Sequence, residues 1–272
     1  MISELCTCSI DGVIDVVLKH DGDIEAPNWH PDGYLVVNGG GQIFRVALDN
    51  PQLELIDTGF AQNCNNDHGI SPNWQLLAIS DASQTNGSCI YTVPIGGGSP
   101  RRITPKTPSW WHGWSPDGAS LAYVGARDGG PVKLYCMPSG GGDETLVCDG
   151  FDHVDGPDYT ADGQWIWFNG ERAGDVNLWR VRPDGCDLTQ MTFDETVNWF
   201  PHPSPNGAHV VYLAYPKGTK GHPGGLQVAL RIMPSGGGEA QTLVSLLGGQ
   251  GTINVPSWAP DAKRFAFVRY SD

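Results

Sequence analysis

Trp114-Ser115-Pro116-Asp117-Gly118 leads into the alternating run Ser120-Leu121-Ala122-Tyr123-Val124. A polar stretch follows, then a second run, Lys133-Leu134-Tyr135-Cys136-Met137, the turn Gly140-Gly141-Gly142, and a short Leu146-Val147. Short alternating apolar runs read as half-buried strands, and Asp-Gly and Gly-Gly pairs between them read as hairpin turns. The same order recurs along the chain. Its turn reappears as Pro31-Asp32-Gly33, Pro72-Asn73-Trp74, Ala161-Asp162-Gly163, Pro205-Asn206-Gly207 and Pro260-Asp261-Ala262, at successive spacings of 41, 44, 45, 44 and 55 residues. Four antiparallel strands in a period of about 45 residues make one propeller blade. Six turns predict six blades, hence an all-β, six-bladed β-propeller forming a single domain over residues 1–272.

The ends of the chain fit a closed ring. The last repeat runs out after two strands, near Phe265 to Tyr270, and the N-terminus supplies two more, Glu4 to Ile10 and Val13 to His20. Strands from both termini would complete the sixth blade, and closure removes the sheet edges that invite aggregation.

Composition narrows the function classes. The 272 residues carry 16 Lys+Arg against 30 Asp+Glu, a net charge of −14. Such a chain repels phosphate backbones and anionic lipid, so neither nucleic acid nor membrane is an expected partner. No run of 18 apolar residues occurs, and no basic segment precedes an apolar run at the N-terminus. The expected location is therefore cytoplasmic, with a trimmed periplasmic form as the alternative. Seven scattered cysteines, none at metal-ligand spacing, read as reduced thiols. A closed ring needs no partner to cover its edges, so a monomer is expected.

The Trp-Ser-Pro-Asp-Gly motif, with the Gly-Gly turn and the closing Leu/Ile-Thr, resembles the TolB-type propeller repeat, and all six repeats share it. The chain is most similar to the small stand-alone TolB-like proteins, whose signatures match Asn198 to Pro205 and Gly248 onward to Trp258. The resemblance implies the fold and leaves the activity open.

In this topology the Asp-Gly and Gly-Gly turns share one face. The second-to-third-strand loops and the crossings between blades share the other, which is where irregular, function-bearing loops are expected. Six residues before each turn proline (Ala161 in blade four) stand Glu25, Asn66, Trp110, Asp155, Trp199 and Asn254, a polar and aromatic ring where small apolar residues would be the norm. The crossings also hold His68, His112, His153 and His202, with Asp67, Trp111 and Asp158 beside them. The overhanging loops bring Arg127, Glu171 and Arg172. A long blade-five loop carries Lys217, Lys220 and His222, and the last crossing carries Gln250.

Converging histidines and carboxylates can hold a divalent metal (Mn, Zn or Ca), with His68, His112, His153 and His202 as the expected ligands. Flat aromatic rings beside Asp, Asn and His suit sugar rings. The oligogalacturonate lyases are similar in having a TolB-type propeller with a histidine-rich metal site. That likeness implies His112, His153, Arg127 or Lys220 as proton-transfer groups. Glu25, Asp67, Asp155, Asp158 and Glu171 offer the paired carboxylates a glycoside hydrolase needs. No phosphate loop, dinucleotide fingerprint or nucleophile elbow is present, so no nucleotide cofactor is expected. The expected function is binding of a small polar ligand, an oligosaccharide first, at this mouth, with lyase or hydrolase activity left open. The alternative is a non-catalytic protein-interaction platform.

Overall fold

The computed structural model describes residues 1–271 and contains only strands, turns and loops among them. The first two strands, β1 (Ile2–Ser9) and β2 (Ile14–Asp21), belong to the last blade. Blade one is β3 (Glu25–His30), β4 (Tyr34–Gly39), β5 (Gln42–Ala47) and β6 (Glu54–Ile56). Blade two is β7 (Cys64–Ile70), β8 (Leu76–Asp81), β9 (Cys89–Pro94) and β10 (Arg101–Arg102). Blade three is β11 (Ser109–Trp114), β12 (Ser120–Ala126), β13 (Val132–Pro138) and β14 (Thr145–Leu146). Blade four is β15 (His153–Tyr159), β16 (Ile166–Arg172), β17 (Asp175–Val181) and β18 (Thr189–Gln190). Blade five is β19 (Val197–Pro203), β20 (His209–Tyr215), β21 (Leu226–Pro234) and β22 (Gln241–Gly248). Each of these five is a four-stranded antiparallel sheet in sequence order, as the repeat predicts.

Blade six closes the ring from both termini, in the order β2-β1-β23, where β23 is Arg264–Ser271. Its inner segment is not a regular strand. Only Trp258 bridges to Phe265, while the amides of Ala266 and Val268 donate to the carbonyls of Ser257 and Thr252 at 2.9 and 3.0 Å. The glycine-rich crossing at Gly248 to Thr252 bends the chain away from the ladder, with Gly249 and Gly251 both at positive φ.

The apolar side chains pack between neighbouring blades. One cluster joins Leu213 and Leu230 of blade five to Phe265 and Phe267 of blade six and to Cys6 and Cys8 of β1. The terminal strands are thus held by core burial as well as by the ladder. All seven cysteines are free. The register of the innermost strand breaks in all five regular blades, at Glu25/Asn28, Cys64/His68, Trp111/Gly113, Asp155/Asp158 and Trp199/His202. A bulge bends the strand and re-aims its side chains. A break in every regular blade, at the same two positions in blades one, four and five, shows that the irregularity belongs to the repeat.

Candidate functional site

The bulges build the site. Five residues before the turn position, Ala26, Gly156 and Phe200 all take the left-handed conformation, at φ 55, 58 and 54°. At Gly156 a side chain is excluded as well as strained, because a Cβ would lie 2.9 Å from Phe200 Cδ1 and 3.0 Å from Asn169 Oδ1. The twist there accompanies the turn of the preceding residue, Asp155, into the channel mouth, and the Gly156 amide donates to Asp155 Oδ1 at 2.9 Å.

Asp155 is the centre of the mouth. His112 Nε2 lies 2.8 Å from its Oδ1, an ion-pair contact without hydrogen-bond alignment. His222 Nε2 and His153 Nε2 lie 3.4 and 4.0 Å from Oδ2. Asp67 Oδ1 is 3.9 Å from the same His112 nitrogen, and Asn65 donates to the Asp67 carboxylate. His222 arrives on the long blade-five loop. Its ring sits 4.4 Å from the Trp199 ring centroid and 5.2 Å from that of Phe200, and its Nδ1 meets Gln250. Gln250 donates to Asn66 Oδ1 at 3.1 Å and accepts from Asn254 Nδ2 at 3.2 Å, which ties the last crossing to blade two. Asn65, Asp67, His153, Asp155, His222, Gln250 and Asn254 line a cavity of ≈ 220 Å³, with Trp110, Val124 and Val132 as its apolar wall.

The charges are set by burial and by one another. Burial alone would push the Asp155 carboxyl up. The facing His112, with His153 and His222, overcomes this and holds it well below the carboxylate range. Burial opposes charge on His112 and His222 too, but Asp67 and Asp155 raise the first and Asp155 raises the second. Asp67 is pushed up to about 6 by burial, and Glu25, beneath Gly251 and beside Asn66, to about 7. One carboxylate is thus kept ionised and its neighbour held near neutrality, a pairing that suits acid–base chemistry.

The remaining expected residues divide. The four histidines proposed as metal ligands do not form one set. His68 lies deep in the channel with Nδ1 2.7 Å from Asn28 Oδ1, and burial lowers it to about 3. His202 is bracketed by Asp158 Oδ2 at 3.1 Å and the Ile253 carbonyl at 2.7 Å. Only His112 and His153 reach Asp155, joined by His222. Among the described residues no group of three or more His, Cys, Asp or Glu has the arrangement of a metal site.

Arg127 is a correction as well. Its guanidinium clasps Glu144 at 2.8–3.2 Å and donates to the Pro108 carbonyl and Ser109 Oγ, which makes it a staple within blade three. Arg172 stacks on Phe151 and Trp179, 4.0 and 4.5 Å from their centroids, and belongs to the body of blade four. Glu171 and Lys220 line a separate cleft of ≈ 730 Å³ between blades four and five. Trp199 is buried behind His222, and Trp111 packs over Gly69 in the interior. The residue missed is Asn65. It stands one place before the polar ring, and only the bulge in β7 brings it to the mouth.

The opposite end of the channel is also concave, contrary to the expectation of a plain face of tight turns. A cavity of ≈ 220 Å³ there draws on all six blades, with Trp29, Trp74, Trp114, Tyr159 and Trp258 among its walls and Asp158 at its floor.

Comparison with known proteins agrees with the architecture. The model of the TolB beta propeller domain matches residues 108–272. An uncharacterised protein of Agrobacterium fabrum (strain C58) is 49% identical over 248 residues, which cover 90% of this chain and 84% of that one. A solved structure of a TolB candidate from Agrobacterium tumefaciens superimposes with a TM-score of 0.97 at 45% identity, covering 100% of this chain and 99% of that one. TolB of Acinetobacter baumannii gives a TM-score of 0.73 at 18% identity over 92% of this chain and 64% of that one. A manganese-bound oligogalacturonate lyase gives 0.56 at 14% over 90% and 74%, a likeness of fold alone. The chain belongs to the TolB β-propeller family.

Proposed function

We propose that the crossing-side mouth binds a single sugar ring, the terminal unit of an oligosaccharide. The observation that carries this is the convergence of His153 and His222 on Asp155 in the lining of a small cavity walled by Trp110, with the buried His112 against the same carboxylate. A volume of ≈ 220 Å³ is below the roughly 300–1,000 Å³ of drug-sized pockets, so one ring fits and a chain does not. The indole offers an apolar surface, while the Asp67, Gln250 and Asn254 side chains supply the mixed donors and acceptors that hydroxyls require.

Of the two chemistries considered, hydrolysis suits these residues better than elimination. Asp67 and Asp155 both approach His112 Nε2, and their environments push their protonation apart. Of the four groups an elimination could use as base, Arg127 stands on Glu144 and Lys220 in the neighbouring cleft, which leaves His112 and His153, both engaged with Asp155.

The test is a saturation-transfer NMR screen of mono- and disaccharides, with Asp155→Asn and Trp110→Ala as comparison proteins. Binding that disappears in both variants sustains the reading. A panel with no binder, or a binder indifferent to both changes, overturns it. One observation favours the alternative of a protein partner. Phe193, 79% exposed, stands on the wall of the ≈ 730 Å³ cleft beside Lys217 and Lys220.

A further inference from the structure

The cavity at the Asp-Gly end of the channel has a different chemistry from the sugar site. We propose that it binds the head group of an organic cation, a methylated ammonium, against its indole wall. Five tryptophans line it: Trp29, Trp74, Trp111, Trp114 and Trp258. Trp is the aromatic ring that attracts cations best, and cages of such rings recognise quaternary ammonium groups.

The donors on this wall are mostly spent. The Trp114 and Trp258 N–H groups donate to the carbonyls of Gly69 and His202 at 3.1 and 2.9 Å, so these rings offer carbon to the cavity. Asn28 Nδ2 donates to the Pro256 carbonyl at 2.9 Å, and the hydroxyls of Thr160 and Ser204 donate to the side chains of their own turns. Among the buried donors of this wall, Trp111 Nε1 has no partner. The acceptor side is richer. Asp158, 7% exposed, engages His202 through Oδ2 and leaves Oδ1 over. An anion entering here would meet the Asp158 carboxylate, and the amide and hydroxyls a sugar would use are already engaged. A methylated ammonium has no N–H to satisfy and carries the charge that indole faces attract.

Two further observations point to a cation. Arg264 already places its guanidinium carbon 5.4 Å from the Trp29 ring centroid, so one indole of the set holds a cation within the protein itself. The turn carboxylates Asp32, Asp117, Asp162 and Asp261 stand at the same end of the propeller, on a chain of net charge −14. A mouth ringed by one sign of charge concentrates ligands of the other.

The test compares choline with 3,3-dimethyl-1-butanol, its uncharged carbon analogue of the same shape. Tryptophan fluorescence and saturation-transfer NMR read the binding. Choline is expected to bind and the neutral analogue to bind at least about ten-fold more weakly. Trp74→Ala, at a rim position 37% exposed, is expected to weaken choline about 3- to 10-fold, while Val13→Ala on the outer edge of blade six leaves it unchanged. A trimethyllysine peptide binding more tightly than choline assigns the head group to a protein side chain, and the reverse order assigns it to a small molecule. Equal binding of the neutral analogue, or no choline signal at about 10 mM, overturns the proposal. Neither result bears on the sugar site, which shares no lining residue with this cavity.

Discussion

Replacing Asp155 by Asn removes the anion from the centre of the mouth while keeping its shape. His112 is then buried with Asp67 as the remaining carboxylate, 3.9 Å away, and His222 loses the partner 3.4 Å from its Nε2. Both histidines are raised in the folded protein, so their contribution is fully present below the unfolded value of about 6.5 and is lost as pH rises through the folded values. Asp155 is held down, so its contribution is present above about 3.9 and is lost as pH falls through its folded value. The wild type therefore gains most between roughly pH 4 and 6.5. Removing one partner of a buried pair costs about 3–5 kcal/mol, and that is the loss expected near pH 5. Above the raised values of the two histidines, where both rings are neutral, what remains is hydrogen bonding worth about 1 kcal/mol. Urea unfolding followed by tryptophan fluorescence reads the difference. With a slope near 3 kcal/mol/M, the midpoint should fall by about 1–1.7 M at the lower pH and by a few tenths at the higher. An equal loss at both pH values, or none at pH 5, refutes the claim that charged histidines face an ionised Asp155.

Gly69→Ala would place a Cβ 1.8 Å from Trp111 Cη2, so that buried ring would have to leave its place. Thermal unfolding should show a loss of about 3 kcal/mol or a failure to fold, and a neutral result would mean that Trp111 is not packed as described. Arg127→Ala strips the half-buried Glu144 of its main partner. Glu144 is held down to about 2, first by Arg127, so the wild-type contribution is present above about 4.3 and is lost as pH falls through about 2. The variant should lose about 1–3 kcal/mol near neutral pH, since Lys106 and Tyr123 still hold Glu144, less in acid, and leave sugar binding intact. Lost sugar binding in a folded Arg127→Ala protein would return Arg127 to the site.

Much of the molecule was legible before any coordinates. A hairpin turn needs particular residues whatever surrounds it, so the Pro-Asp-Gly series marks each blade at sight, and counting six of them closes the ring. The polar ring at Glu25, Asn66, Trp110, Asp155, Trp199 and Asn254 was visible for a related reason. Side chains at one register position of six equivalent strands must meet around one axis. Exposure of His222 to the mouth was legible only as a loop long enough to reach it.

What the order of residues could not convey is which way each side chain turns once the inner strands bulge. His68 and His112 both stand four residues before the turn proline, so strict alternation would send them to the same place, whereas His153 stands eight residues before Ala161 and His202 three before Pro205. The register breaks shift them relative to one another, so two go down the channel to Asn28 and Asp158 while two stay at the rim with Asp155. Arg127 and Arg172 were misplaced for a different reason. A long cation settles on whatever carboxylate or ring the neighbouring strands present, here Glu144 and Phe151, and such partners are distant choices of packing that no local pattern encodes. Local turn chemistry thus determines the number of blades and the way they close, because it acts over a few bonded residues. The sites at the two mouths depend on non-bonded contacts among six blades, which exist only after the ring has formed.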